Sequence, residues 1–332
     1  MAQTYLIKRS QIEKVLDMKD CVSIVENAFR LYGDGKVQMP PKVYLSFERG
    51  DVRCMPVYIP SMNIAGVKNV NVHPKNKNLP SVMATITLFD PETGFPLAVM
   101  DGTYITNMRT GAAGGIAAKY LSIKNPKVAT FIGAGVQAET QLEALLITKP
   151  TIFKIKVYDA DSDKAENFAK NYRKKYENLM NVLKTNSIEG ALQNTNIIIT
   201  TTPVKKPIIK AEYINCGVHI NAIGADAKGK QELDSEILKK SRIIIDDWEQ
   251  ASHSGEINVP LSKGVISKKD IYGNIGEIVS GKKPGRESDD QITIFDSTGL
   301  AIQDISVAYE VYKKLTSNEE TEKDIERVNF FK

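Results

Sequence analysis

The chain has 332 residues, 44 basic and 40 acidic, for a formal net charge of +4. That length supports two domains with full hydrophobic cores, and so balanced a charge, without a block of five like charges, excludes a basic nucleic-acid arm. No uncharged apolar run approaches the roughly 18 residues of a membrane span. In chain order, Ser10 with Glu13 three residues on predicts a capping box. Val22, Val25, Ala28, Phe29 and Tyr32 then recur at helical spacing, with Gly33 as a natural stop. From about residue 37 to about residue 100 the texture changes to short alternating runs, Val43 to Phe47 and Met83 to Phe89 among them, the second closed by Asp90-Pro91-Glu92-Thr93-Gly94. These predict strands of an antiparallel or mixed sheet.

From about residue 127 the rhythm becomes strand, helix, strand. The predicted strands are Val128–Ile132, Ile155–Tyr158, Ile197–Thr201, His219–Ile223, Ile243–Asp246 and Ile292–Phe295, with polar helices such as Asp161 to Asn178 between them. Alternation of that kind predicts an α/β fold with a parallel sheet wound on both faces. A last helical pattern, Ala301 to Lys314, is expected to leave that sheet and pack on the first domain, and the charged segment Ser317 to Arg327 is expected to fray.

The N-terminal stretch, Met1 to Arg9, has no apolar segment of signal-peptide length. Cys21, Cys54 and Cys216 are far apart and odd in number, which points to free thiols in a reducing compartment, the cytoplasm. With His73, His219 and His253 the only histidines, and no Cys-x-x-Cys or His-Glu-x-x-His spacing, a metal site is not expected.

The most informative motif follows the first strand of the second half. Val128 to Ile132 runs into Gly133-Ala134-Gly135-Val136-Gln137-Ala138, which opens a helix containing Leu142, Ala144 and Leu145. This is the G-x-G-x-x-A form of the Rossmann dinucleotide fingerprint: Gly133 permits the tight turn, Gly135 lets the backbone approach a pyrophosphate, and Ala138 keeps helix and strand close. The free N–H groups and dipole of a helix N-terminus favour the diphosphate charge. Asp159 ends the next strand 21 positions past Ala138, near the spacing of a carboxylate that binds the adenosine ribose. A carboxylate there repels a 2′-phosphate, so NAD is expected over NADP.

In open parallel sheets, ligands lie beyond the carboxyl ends of the strands. Thr200-Thr201-Thr202-Pro203 offers hydroxyls at one such end, and Ile223-Gly224-Ala225-Asp226 places a carboxylate at another. Asp226 fits equally a helix cap or a functional acid. The first half supplies Lys42, Arg53, Lys68, His73 and Arg109, the last preceding the small-residue run Thr110 to Gly115. Each base alone reads as a surface charge. As a set they suit an anionic ligand, since arginine offers a carboxylate a bidentate fork.

Over nearly its full length the chain resembles the ornithine cyclodeaminase/mu-crystallin family. The resemblance is carried by Met39 to Val43, Lys68 to Pro74, Glu92 to Ala98, Arg109 to Ala113, Gly133 to Ala138, Asn221 to Asp226 and Phe295 to Gly299. It implies a discontinuous α+β domain for substrate binding and dimerisation, residues 1–120 completed by 304–332, and a Rossmann-type NAD-binding domain over 121–303. It further implies a homodimer and a small-molecule partner, an amino acid or 2-keto acid. Lys68 resembles the family's acid–base lysine, and Asp226 the aspartate beside nicotinamide and substrate. Arg109 resembles the arginine that contacts the cofactor diphosphate or the substrate carboxylate. Thr110, Gly133, Gly135, Val136, Gln137, Asp159, Thr201, Ser297 and Thr298 resemble further cofactor contacts.

One position selects a branch. Where the cyclodeaminases carry a glutamate for the distal amine of their substrate, two residues before Met55-Pro56, this chain has Arg53. A cation there repels a second ammonium group and suits a short neutral side chain, and Arg53 and Lys42 are expected to help clamp the carboxylate of alanine or pyruvate. The expected activity is NAD-dependent, reversible oxidative deamination of L-alanine to pyruvate and ammonia, Lys68 or Asp226 moving the protons. The alternatives are ketimine reduction, ornithine or lysine cyclodeamination, and nucleotide-dependent ligand binding without turnover. A catalytic lysine needs a depressed pKa, which burial and neighbouring cations favour and Asp226 is expected to oppose.

Overall fold

The computed structural model describes residues 3–177 and 180–331; Met1 and Ala2 of the N-terminal stretch, Asn178 at the expected helix end, Leu179 and Lys332 lie outside the described residues. The chain forms two compact units, Met1–Arg109 with Leu300–Lys332, and Thr110–Gly299. Among the described residues no helix is long and apolar enough to cross a membrane.

The first unit is a sheet covered by helices. Its strands are β1 (Thr4–Ile7), β2 (Val43–Phe47), β3 (Gly50–Ile59), β4 (Ile64–Val72), β5 (Val82–Phe89) and β6 (Pro96–Asp101). β2 to β6 form an antiparallel meander, and β1 adds parallel to β6. Period-two alternation decides the faces. Met55, Val57 and Ile59 of β3, Ile64 and Val70 of β4 and Ile86 and Leu88 of β5 are all buried. Each fully buried side chain of this kind contributes roughly 1.5–3 kcal/mol. The helix Ala301–Thr316 packs on β3, β4 and β5 and on the helix Met18–Gly33.

Two expectations need correcting here. The first helix runs Arg9–Val15, and Gln11, not Glu13, accepts the N–H at its start, from Lys8 (2.8 Å). Because β1 ends at Ile7, the extended residue before the helix is Lys8, so Ser10 and Glu13 fall inside it, where Glu13 takes Arg9 instead (2.7 Å). The charged segment after residue 316 is ordered, not frayed. It forms a helix, Glu319–Lys323, capped by Asn318, and a strand, Glu326–Val328, antiparallel to β1. The free edge of β1 supplies backbone partners that composition does not reveal. Tyr5 donates to Glu322 (2.5 Å), and Arg327 lies over the Tyr5 ring.

The second unit holds β7 (Val128–Ile132), β8 (Lys154–Tyr158), β9 (Asn181–Lys184), β10 (Ile197–Thr200), β11 (His219–Ala222), β12 (Ser241–Ile245), β13 (Ile271–Asn274) and β14 (Ile292–Asp296). All pair in parallel, in the order 13-12-14-11-10-7-8-9. Both faces are covered: Ile197 and Ile199 join one apolar cluster while Ile198, between them, joins the other. Strands buried on both faces read as continuous apolar runs, which is why the six predicted strands were legible. β9 and β13 are short edge strands of mixed polarity and carry no such signal. The order reverses at β7, which lies between β8 and β10, so the ligand crevice of this sheet type falls at the carboxyl ends of β7 and β10.

Candidate active site

In the first unit the alternation of β4 puts Lys68 on the helix-covered face, opposite Met55 and Ile86. Its side chain is fully buried. Gly66, two residues earlier on that face, lets the helix Ala301–Thr316 come close: a Cβ there would meet Ile305 Cδ1 at 2.8 Å. The adjacent Asp304 therefore reaches the lysine, with Oδ2 at 2.7 Å from Nζ. This contact is an ion pair but poorly directed, so Nζ and Oδ2 both keep unused hydrogen-bonding capacity. Arg109 donates from Nε to Asp304 Oδ1 (2.8 Å) and from Nη1 to Gln303 Oε1 (2.9 Å). Gln303 Oε1 also accepts the Leu300 N–H, which fixes the amide orientation and leaves Nε2 a buried donor without a hydrogen-bond partner among the described residues.

The electrostatics follow from this packing. Burial pushes the Lys68 pKa down, the charge of Arg109 pushes it further, and Asp304 opposes both; Lys42 adds to the fall. The result is about 7. Within the first unit the carboxylate working against the shift is Asp304. The buried amine meets this partner through the sheet-on-helix packing of its own unit.

Arg53 lies on the same face as Met55 and is buried; it donates to Asp51 (2.8 Å) and sits over the Tyr44 ring. Lys42 is half-buried, and its charge reaches Lys68. His73 stacks on Phe47 instead (6.1 Å). The first unit therefore brings Lys42, Lys68 and Arg109 into one electrostatic cluster, with Arg53 on the same sheet face.

In the second unit, the glycine turn has the geometry its sequence requires. Gly133 has φ +104°, and a Cβ on it would meet Thr201 Oγ1 at 2.6 Å. Its N–H donates to Tyr158 O (2.8 Å), and Thr201 N–H donates to Ile132 O (2.9 Å). Gly135 precedes the helix Val136–Thr148 without a side-chain cap, and a Cβ there would meet nothing within 4 Å. Ala138 is fully buried against Ala129 and Phe131. Asp159 is half-buried and accepts the N–H groups of Ala134 and Asp161, both at 2.8 Å. Val136 is exposed and Gln137 half-buried at the start of the helix. Thr110 is buried, its carbonyl taking Gln141 Nε2 (2.8 Å). Ser297 follows β14, and Thr298 gives its N–H and hydroxyl to Asp246 (2.6 and 2.8 Å). Asp226 is not a helix cap: it is ion-paired with Lys230 (2.5 Å) and part-exposed, and the next helix begins at Ser235.

The ornithine cyclodeaminase/mu-crystallin family pattern matches residues 2–319. The chain belongs to this family. It is 52% identical to the alanine dehydrogenase of Archaeoglobus fulgidus, over 95% of this chain and 96% of that protein. Among solved structures of the family, an archaeal alanine dehydrogenase dimer with bound NAD superposes with a TM-score of 0.94 at 51% identity, covering 99% of this chain and 100% of that one. The Δ1-pyrroline-2-carboxylate reductase of Thermococcus litoralis, in complex with NADH and L-proline, gives 0.90 at 41% identity, covering 95% and 98%.

In this family member, sequence reasoning missed Asp304, Gln303 and Glu232. Asp304 did carry a signal: it stands on the apolar face of its helix between Ala301 and Ala308, a core position that a carboxylate occupies only with a partner. Glu232 lies in the stretch Gln231-Glu232-Leu233, where nothing marks it, yet it is fully buried.

Proposed function

We propose that this protein is an NAD-dependent alanine dehydrogenase that interconverts L-alanine with pyruvate and ammonia. The observation carrying this reading is a buried lysine with a pKa near neutrality, set beside the Arg109 fork and the unpartnered donor of Gln303. A buried donor without a partner, beside two buried cations that share one carboxylate, suits an anionic ligand. A carboxylate with a reacting C–N bond next to it suits them, and the 52% identity to an alanine dehydrogenase supports a small side chain. Arg53, where a diamine substrate would need a carboxylate, favours the same choice.

The second unit fits NAD. The left-handed Gly133, the open space over Gly135 and the uncapped start of a 13-residue helix suit a diphosphate. Gly133, Gly135, Val136, Gln137, Thr201, Ser297 and Thr298 would hold the cofactor, with Arg109, Thr110 and Asp226 as further contacts and Asp159 on the ribose. When bound, NAD supplies the acceptor for the hydride that leaves the α-carbon. Arg109, Arg53 and Lys42 bind and orient the carboxylate. Lys68 Nζ, neutral for a large fraction of the time at its pKa, takes the proton of the substrate ammonium, gives it up to solvent, and takes a second from the water adding to the imine carbon. It returns a proton to the departing ammonia. Asp304 holds Nζ in place while this happens. The half-buried outer face of the first sheet, with Val67, Thr87 and Val99, supports dimerisation through that face, and the three free thiols suit the cytoplasm.

The test is a panel of 2-keto acids with ammonia and either NADH or NADPH, together with Δ1-pyrroline-2-carboxylate. Fastest turnover with pyruvate and NADH is expected. Cyclic imine reduction with no turnover of pyruvate would transfer the protein to the reductase branch, the second reading that the 41% identity to the T. litoralis enzyme supports.

A further inference from the structure

The second unit buries four carboxylates, Glu232, Asp246, Glu256 and Asp296, each fully excluded from solvent. Among the described residues no group of three or more His, Cys, Asp or Glu is arranged to hold a metal ion. No Lys or Arg pairs with Glu232, Glu256 or Asp296 among the described ion pairs. Their oxygens are used instead on backbone N–H groups and hydroxyls.

Glu232 differs from the other three in what it holds. Its Oε2 accepts the Thr200 hydroxyl (2.7 Å) and the Gly224 N–H (2.9 Å). Its Oε1 accepts the Thr202 N–H (2.7 Å) and the Thr202 hydroxyl (2.6 Å). Four donors, two per oxygen, thus converge on one carboxylate. They come from the two turns that leave β10 and β11, and Thr201, between two of them, faces the Gly133 turn. A Cβ on Gly224 would lie 2.3 Å from Thr202 O and 2.6 Å from Glu232 Oε2, so glycine is needed for this convergence. Glu256, by contrast, accepts only the backbone N–H groups of Glu232 and Leu233 and touches neither turn.

We propose that Glu232 is a positioning residue for the dinucleotide: by drawing the Thr200–Thr202 and Gly224 turns onto one carboxylate, it sets the wall facing the Gly133 turn at the spacing the cofactor needs. This rests on the reading of the second unit as an NAD-binding fold. The carboxylate matches the site because all four contacts are donors. An amide would turn an NH2 toward two of them and push the turns apart. Burial pushes the Glu232 pKa up from the ordinary carboxylate range, and the hydrogen bonds from Thr200, Thr202 and Gly224 oppose that rise by replacing the hydration of the charged form.

The experiment compares wild type, Glu232→Gln, Glu256→Gln and a Thr200→Val/Thr202→Val double variant. It uses NADH titration by fluorescence, steady-state kinetics with pyruvate and ammonia, and thermal melting. Glu232→Gln is expected to raise the NADH Kd and KM about tenfold or more while kcat and the pyruvate KM stay within about threefold. Glu256→Gln, equally buried, is expected to lower Tm with the NADH Kd unchanged. If Glu232→Gln does not fold, the double threonine variant, which removes two of the four donors, reads the same effect at about three- to tenfold. An unchanged NADH Kd in Glu232→Gln or in the double variant overturns the proposal, as does an equal rise in Glu256→Gln. Failure of the wild type to bind NADH would sink the functional reading instead.

Discussion

Lys68 Nζ and Asp304 Oδ2 lie 2.7 Å apart with both side chains wholly buried, and Arg109 holds the other oxygen of the same carboxylate. One anion therefore serves two buried cations. The lysine is left close enough to neutral to accept a proton and close enough to charged to return one, which is the condition for general acid–base work at neutral pH.

Lys68→Ala is expected to lower kcat about 100- to 10,000-fold, the usual contribution of a positioned acid–base group. The measurement is NADH oxidation under saturating pyruvate and ammonia. Turnover near the wild-type rate would remove Lys68 from the chemistry.

In wild type, kcat/KM for alanine oxidation is expected to rise with pH and level off above about 7, because the neutral amine is the base. Asp304→Asn removes the charge that holds this pKa up, so the acid limb moves to lower pH, by about 1 to 3 units. The same change leaves Lys68 and Arg109 without their buried counter-charge, at a cost of about 3–5 kcal/mol. A pH–rate profile and chemical denaturation read the two effects separately.

Asp159→Ser takes away the carboxylate at the end of β8. The ratio of kcat/KM for NADPH to that for NADH is expected to rise about tenfold or more. The Ala134 N–H also loses its acceptor, so overall affinity falls for both cofactors. A ratio that does not move would refute the ribose assignment.

Asp296 gives a pH-dependent stability signature. Burial, then the nearby charges of Asp246 and Glu232, push its pKa up from 3.8 to about 8, against the hydrogen bonds from Glu256 and Ile257 N–H. The folded chain thus keeps a proton that the unfolded chain loses, and this contribution is present below pH 4 and lost as pH rises toward 8. Asp296→Asn lacks that dependence. It is expected to be less stable than wild type near pH 4, through one spoiled backbone contact, and to close the gap by a few kcal/mol by pH 8, an order-of-magnitude figure. Denaturation midpoints across that range measure it; parallel curves would show that Asp296 is already ionised in the fold.

What the sequence determined by itself is whatever depends on neighbouring residues. The Gly133–Ala138 turn was legible because a left-handed glycine, a close approach and a buried alanine are demanded within six positions. The parallel strands were legible because burial on both faces leaves continuous apolar runs, whereas Lys68 and Arg109, each of which alone reads as a surface charge, were singled out by the resemblance to the family. Tertiary structure alone decided the partners. Asp304 meets Arg109 across 195 residues of chain, Glu232 reaches Thr200 across 32, and the charged C-terminus finds its order on the open edge of β1. No local pattern encodes such meetings: a buried charge is permitted only where another element brings its counter-charge or its donors, and that element is chosen by packing.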